Sequence, residues 1–370
     1  MSNQLNEMLQ NKIHDFVRKS EKDTQALIEK LTNRVIDDLV IPAHLIRFDP
    51  FEGRSIMVKV EDTSNQEAHQ WSLNSDSAYQ VADRIGLPQK WVSEASVSQD
   101  LYRREAAATA MSLYMGNYKG KDDRFLFRNV DGVVRGFLST SYKRINTRDI
   151  FLMFLLVAQQ NNLPVIGAYE GTSKDFIEVL DPELTYVETP NNGLVAYATG
   201  MQLRNSDFGN GRLELRSYRK NPVCLNGLIG TSYLKEVHLG ARLSQDFMFS
   251  IETVSKDTET RALMVRDAMN HVFSRKVRDH EREQILEASN SFVDLKQEII
   301  QLPKLGIYKP EVQAVEEVLL RRDENDGVSG IPSKYMVSQA ISAVARNSTE
   351  ERMRELETIA GSLVFTRELN

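Results

Sequence analysis

The chain has 370 residues, 41% of them apolar and 26% charged, with a formal net charge of −6. That excludes wholesale disorder and a surface that is basic all over, and leaves room for two domains or one large domain with helical additions. The single cysteine, Cys224, excludes an internal disulfide and any zinc site built on two or more thiolates.

The charge is unevenly spread. Between Arg103 and Arg242 there are 18 Lys/Arg against 14 Asp/Glu, about +4, which leaves about −10 for the two flanks. A basic middle between acidic arms suits a protein that touches a polyanion in one place; chance clustering on a solvated surface gives the same count. No apolar run approaches the length of a membrane span, and the most apolar, Ile150 to Ala158, suits a buried helix. The opening MSNQLNEMLQNK lacks the apolar core of a signal peptide. A cytoplasmic protein with no membrane partner is expected.

In chain order, Leu5, Met8, Leu9, Ile13, Phe16 and Val17 recur at helical spacing, and Leu27, Ile28, Leu31 and Val35 continue the stripe after a polar break at Lys19 to Thr24. From Ile41 the period changes: Pro42, Pro50 and Gly53 punctuate, Ser55 to Val60 reads as a strand, and His69 to Leu73 can pair with it. Asn74-Ser-Asp-Ser offers cap residues to a helix carrying Ala78, Val81, Ala82 and Ile85, stopped by Gly86 and Pro88. A further helix is expected from Asp100 to Tyr114.

In RFLFRNV-DG-VVRGFLS, from Arg124 to Ser139, Asp131-Gly132 predicts a tight hairpin, because both turn positions accept positive φ. Asn146 or Thr147 caps a helix to about Gln160 that is apolar nearly all round and therefore expected to be buried. Strands follow at Pro164 to Tyr169, Phe176 to Leu180 and Leu194 to Leu203, and Asn210-Gly211, relaxed by Gly209, predicts a second hairpin. In its outgoing strand Arg212, Glu214, Arg216 and Tyr218 share one face, and Leu213 and Leu215 the other. Asp257 to Leu302 reads as one long helix or two joined near Asp279, Pro303 to Pro310 as a linker, and Glu311 to Leu320 as a helix. Arg321 to Pro332 reads as an exposed polar loop, and two helices, Ser333 to Arg346 and Thr349 to Val364, close the chain.

Gly200-Met-Gln-Leu-Arg-Asn-Ser-Asp-Phe-Gly-Asn-Gly-Arg-Leu-Glu-Leu, then Tyr218-Arg219 and Val223-Cys224-Leu225-Asn226-Gly227-Leu228, resembles the central signature of the phage/plasmid-like family catalogued as domain of unknown function 932. Val134 to Ser139 with Tyr142-Lys143-Arg144-Ile145-Asn146 resembles its upstream motif, His238 falls where the family often carries a histidine, and Ala340 to Arg346 with Leu356-Glu357 and Ala360-Gly361 resembles its helical ending. The resemblance runs from about Trp71 to Val364, departing at Asp207, where the family usually has a glutamate. It implies a mobile-element protein and no established reaction.

Unpaired nucleic acid is bound by cations that track phosphates and flat rings on which bases stack. The candidates are Arg124, Arg128 and Arg135 on the first hairpin, Tyr142, Lys143 and Arg144 after it, and Arg212, Arg216, Tyr218, Arg219 and Lys220 on the second. If both hairpins belong to one sheet, these residues form a continuous groove; cross-strand ion pairs with Glu214 and Asp131 are the structural alternative. Gly209-Asn-Gly matches neither phosphate-binding loop nor dinucleotide fingerprint. Asp207 with Glu214 lacks the third acid and lysine of a nuclease, Cys224 with His238 lacks an orienting group, and the histidines have no metal-ligand spacing.

The expected fold is α+β: a central, mostly antiparallel sheet with helices on one face and a helical C-terminal extension, divided as residues 1–70 (N-terminal helix and small β leader), 71–250 (core) and 251–370 (helical). The expected function is that of a phage or mobile-element single-stranded-DNA-binding protein, including strand annealing in recombination or replication. It would work as a homo-oligomer without cofactor or metal and would be no enzyme. The alternatives are a structural or interaction protein of a mobile element and a metal-dependent nuclease.

Overall fold

The first helix, α1 (Asn3–Thr32), runs straight through the polar stretch at Lys19 to Thr24. Thr24 is buried there and returns its hydroxyl to the Ser20 carbonyl at 2.9 Å. The computed structural model describes residues 3–50, 56–60, 70–120, 122–171, 174–191, 193–206, 208–209, 211–222, 225, 227–237, 249–322, 328 and 330–365. Asp207, Asn210, Cys224 and His238 lie outside them. The α+β class and the helical C-terminal region both hold, but the β structure is two sheets.

Sheet A has the order β1-β5-β6-β4-β3-β2, from β1 (Ile36–Pro42), β2 (Ile46–Pro50), β3 (Ile56–Val60), β4 (Gln70–Leu73), β5 (Arg124–Val130) and β6 (Val133–Ser139). Only β4 and β6 run parallel. The expected division at residue 70 is corrected, because Met57 of β3 pairs with Ser72 of β4 and Ile36 of β1 with Val130 of β5. Asp131 and Gly132 take φ of 54° and 82°, as the hairpin turn requires.

Three helices, α2 (Ser75–Ile85), α3 (Gln89–Ser96) and α4 (Leu101–Gly116), pack on this sheet around Phe125, Phe127, Phe137 and Trp71. Asn74 caps α2 in a capping box with Ser77, and Gly86 ends it at φ 78°. The short α3 carries no such signal: Pro88 stands at its cap position and has no side chain to offer.

Sheet B is an antiparallel meander, β7 (Val165–Glu170), β8 (Asp175–Thr189), β9 (Gly193–Asn205), β10 (Arg212–Lys220) and β11 (Gly227–Val237). One face, bearing Met201, Leu203, Leu213 and Leu215, packs on α5 (Thr147–Gln160) and α6 (Ile251–Val272). The other carries Leu180, Ala198 and Tyr218 against Leu9, Ile13 and Val17 of α1. Helices therefore cover both faces. Although α5 is apolar nearly all round, its burial is one-sided: Ile150, Phe151 and Phe154 are enclosed, while Leu152 and Leu156 stay 46% and 48% exposed.

The C-terminal helices are α7 (Arg275–Asn290), α8 (Leu295–Gln301), α9 (Lys309–Arg321), α10 (Lys334–Ala345) and α11 (Glu350–Ser362). The break before α7 comes at Ser274, whose hydroxyl accepts from the Val277 amide, rather than near Asp279. Val328, within the expected polar loop, is buried. The last helix crosses β11 so closely that a Cβ at Gly361 would collide with the Ile229 carbonyl. Among the described residues no helix is long and apolar enough to cross a membrane.

Where α1, sheet A and sheet B meet, Arg34 and Arg135 share Asp175 and Glu170. Arg34 and Asp175 are almost wholly buried, and Arg135 also donates to the Gly171 carbonyl and lies 4.0 Å over the Phe208 ring. Breaking such a buried pair strands a charge. Arg34→Met should therefore lower unfolding free energy in urea by about 3–5 kcal/mol. Burial pushes the Glu170 carboxyl up, but bonds from Lys30 and Arg34 outweigh it and hold it below the usual range. Its stabilisation is present above the unfolded carboxyl's pKa and lost as pH falls through the lower folded value. Melts of Glu170→Gln should thus fall below the parent at neutral pH and converge with it in acid.

Candidate nucleic-acid interface

In-register pairing of β7 to β10 sorts one face of sheet B into rows. Because side chains alternate along each strand, residues two apart share a face and cross-strand partners stand side by side. One row reads Tyr169, Phe176, Arg204, Glu214; the next Glu178, Gln202, Arg216; a third Leu180, Gly200, Tyr218. The third lies under α1. The first two open into a cavity of about 670 Å³ between the sheet, α11 and the turn at Leu305-Gly306.

The cavity wall is aromatic on one side and cationic on the other. Tyr169 stacks on Phe176 with ring centroids 5.2 Å apart and planes 19° from parallel, and Arg354 of α11 lies 5.2 Å from the Phe176 centroid. Lys174, Arg204, Arg212, Arg216 and Arg352 also line the space. Most of them are engaged. Glu214 accepts from Arg216 at 2.7 Å and Arg212 at 3.3 Å, Lys174 reaches Glu351 at 3.2 Å, and Arg352 bonds Glu311 at 2.6 Å.

Arg204 differs from the rest: its side chain makes no hydrogen bond or ion pair with any described residue, although Glu214 and Glu351 attract its charge. Burial, and then the neighbouring Arg216, pull its guanidinium below its ordinary pKa. Behind it, Arg354 donates to Glu178 and Glu357, both at 2.9 Å. Gln202 gives its amide N–H to the other Glu178 oxygen at 2.6 Å, and its own Oε1, fully buried, has no partner among the described residues. Burial pushes the Glu178 carboxyl up against the pull of Arg354. Burial likewise outranks the arginine bonds as a single influence on Glu214, yet those bonds together hold its carboxyl low.

The expected continuous groove does not form, because the first hairpin belongs to sheet A and the second to sheet B. They meet end to face instead. Gln80 accepts from the Phe137 amide and donates to the Phe208 carbonyl, both at 2.7 Å, pinning the β9–β10 connection against β6. Most predicted cations sit in internal contacts. Arg128, fully buried, bonds Asp38 at 2.7 Å and Asn146 at 2.9 Å; Arg144 lies 3.6 Å from Asp38 and Lys143 3.4 Å from Asp257; Arg135 serves the junction above. Arg124 is exposed at the start of β5, far along the other sheet.

On the second hairpin Arg212, Arg216 and Tyr218 share a face as predicted, but Tyr218 is no stacking platform. It is buried under α1 with its hydroxyl donating to the Val179 carbonyl at 3.0 Å, and burial raises its pKa well above the usual value. Arg219 points to the opposite face and pairs with Glu281 of α7; Lys220 lies 5.1 Å over Phe16 of α1. Tyr142 accepts from the Gly209 amide at 3.2 Å. Arg204, Gln202, Tyr169 and Phe176 were absent from the sequence-based set. Alternation extended back from Leu203 would have placed Gln202 and Arg204 on the face of Arg212, whereas Arg352 and Arg354 come from a distant helix that no local pattern links to the sheet.

A carboxylate tied to two arginines is a poor metal ligand, and among the described residues no cluster of three or more His, Cys, Asp or Glu could hold a metal. Removing a partly buried cation whose charge its surroundings disfavour should stabilise the fold, so Arg204→Met is expected to gain about 0.5–2 kcal/mol in urea unfolding. Glu214→Gln, which leaves Arg216 and Arg212 without their carboxylate, should lose about 1–3 kcal/mol. Opposite signs for the two variants are the diagnostic. Compared with known proteins, the chain matches no protein-family model, no curated protein and no solved structure.

Proposed function

We propose that this chain binds single-stranded nucleic acid at the cleft of sheet B, as a phage or mobile-element protein that coats or anneals unpaired strands stoichiometrically. The observation that carries the reading is Arg204, whose side chain makes no hydrogen bond or ion pair with any described residue and which stands between Phe176 and Glu214 beside the Tyr169–Phe176 stack. Burial and the neighbouring Arg216 disfavour its charge, and an arriving anion would offset both. The resemblance to a phage/plasmid-like family and the basic middle of the chain point the same way, and the cleft volume suits one nucleotide-sized group.

A second reading rests on a separate observation. Leu152 and Leu156 of α5, and Leu263 and Met264 of the adjoining α6, are exposed, which suits a chain whose business is assembly with itself or a host protein. Light scattering separates the two: self-association indifferent to oligonucleotide, and abolished by Leu156→Asp, favours assembly alone.

For the leading reading, fluorescence anisotropy at low salt should show binding of unpaired oligonucleotides, weakening steeply as salt rises. Arg204→Met should weaken it by about tenfold or more, roughly 1.4 kcal/mol. No binding at low salt, or full affinity in the variant, would end the proposal.

A further inference from the structure

The rim of the cleft already carries an anion of its own. Glu351, in the first turn of α11, lines the cavity, and its Oε1 accepts from Lys174 Nζ at 3.2 Å. The pair joins the α11 wall to the β7–β8 turn. Two carboxylates attract the charge of Arg204, Glu214 and Glu351, and they are held very differently. Glu214 is buried and tied to both Arg212 and Arg216, so it stays where it is. Glu351 is 61% exposed and Lys174 37%. An exposed pair of this kind adds little stability, because water and salt screen it and two long side chains must be kept in one geometry. Swinging Glu351 outward therefore frees Lys174 at small cost.

We infer that the Glu351 carboxylate marks the position of a backbone phosphate: a phosphate of the bound strand displaces it, taking over Lys174 and the attraction of Arg204. This rests on the nucleic-acid reading above and adds to it where the backbone sits and which residue competes for that place. A phosphodiester carries one negative charge, as the carboxylate does, so the rim keeps its charge balance through the exchange. Tyr169 and Phe176 lie in the same cross-strand row as Arg204, so a phosphate held there puts its own nucleotide beside the aromatic wall. The other glutamates of α11 do not compete for Lys174. Glu350 is tied to Arg354 at 3.0 Å and Glu355 to Arg352 at 2.7 Å. Because the closed pair must open first, affinity is lowered by the share of molecules in which it is closed.

The test is anisotropy of an unpaired oligonucleotide at low salt, where Glu351→Gln should bind about threefold to tenfold more tightly than the parent chain. Removing any carboxylate near a polyanion helps somewhat, so Glu355→Gln is the comparison. Glu355 lines the same cleft, is 55% exposed and pairs with Arg352 instead of Lys174. Its gain should stay below about twofold. Both glutamates are exposed, so neither substitution disturbs the core. In a Lys174→Met background the gain from Glu351→Gln should shrink to that of Glu355→Gln, because no lysine remains to be released. Equal gains from the two single variants, or an undiminished gain without Lys174, overturn the inference; binding by the parent then leaves the nucleic-acid reading standing. Binding by neither the parent nor Glu351→Gln removes that reading and this inference with it.

Discussion

The ion cluster of Arg34, Arg135, Glu170 and Asp175 is the constraint on which the arrangement of the molecule depends. It gathers the end of α1, the middle of β6 and the β7–β8 turn into one buried site. Charges removed from water are tolerated only when fully paired, and a pairing of four groups on separate elements admits few geometries. The turn it fixes carries Tyr169, Gly171, Lys174 and Phe176, one wall of the cleft. The opening between sheet B and α11 is therefore set by contacts lying outside it, on the side of sheet A.

The two faces of sheet B handle buried charge differently. On the face toward α7, Arg219, Glu281 and Thr199 close on one another, with Phe365 stacked at 4.1 Å from the guanidinium. On the cleft face Glu214 takes both Arg212 and Arg216, while the Arg204 side chain bonds no described residue. A local shortfall of this kind is what is expected where stability is given up for function. Tyr218 shows the contrast: it fits against Gly200, where a side chain of any size would collide with its ring, and it is packed as core.

Local chemistry was the most legible part. Asn74 with Gly86, Asp131-Gly132 and Ser333 set boundaries through bonds or dihedrals that lie within a few residues. Alternation in β10 placed Arg212, Arg216 and Tyr218 on one face, but it could not say what covers that face, and α1 and α11 reach it from opposite ends of the chain. The same limit explains α5, whose nine-residue apolar run from Ile150 to Ala158 carries no mark of which side α6 leaves open, and β1, a short strand whose partner is β5. An arginine on a strand reads as a phosphate contact or as half of an ion pair with equal ease; for Arg128 and Arg135 the decision lay with Asp38 and Asp175, residues far away in sequence.

The topology of the two sheets also bears on how the chain reaches this state. Every strand of sheet B pairs with its neighbour in sequence, so each turn brings the next rung into place at small entropic cost. Sheet A is closed by remote partners, Ile36 with Val130 and Ser72 with Val133, the latter across a parallel junction bridged by α2 to α4. Contacts that span long loops form slowly. The meander is thus the part suited to organise first, and α1 must wait for β7 and β8 before its apolar stripe is covered. The polar interruption at Lys19 to Thr24 splits that waiting stripe, so a long amphipathic helix does not offer one unbroken apolar edge in the meantime.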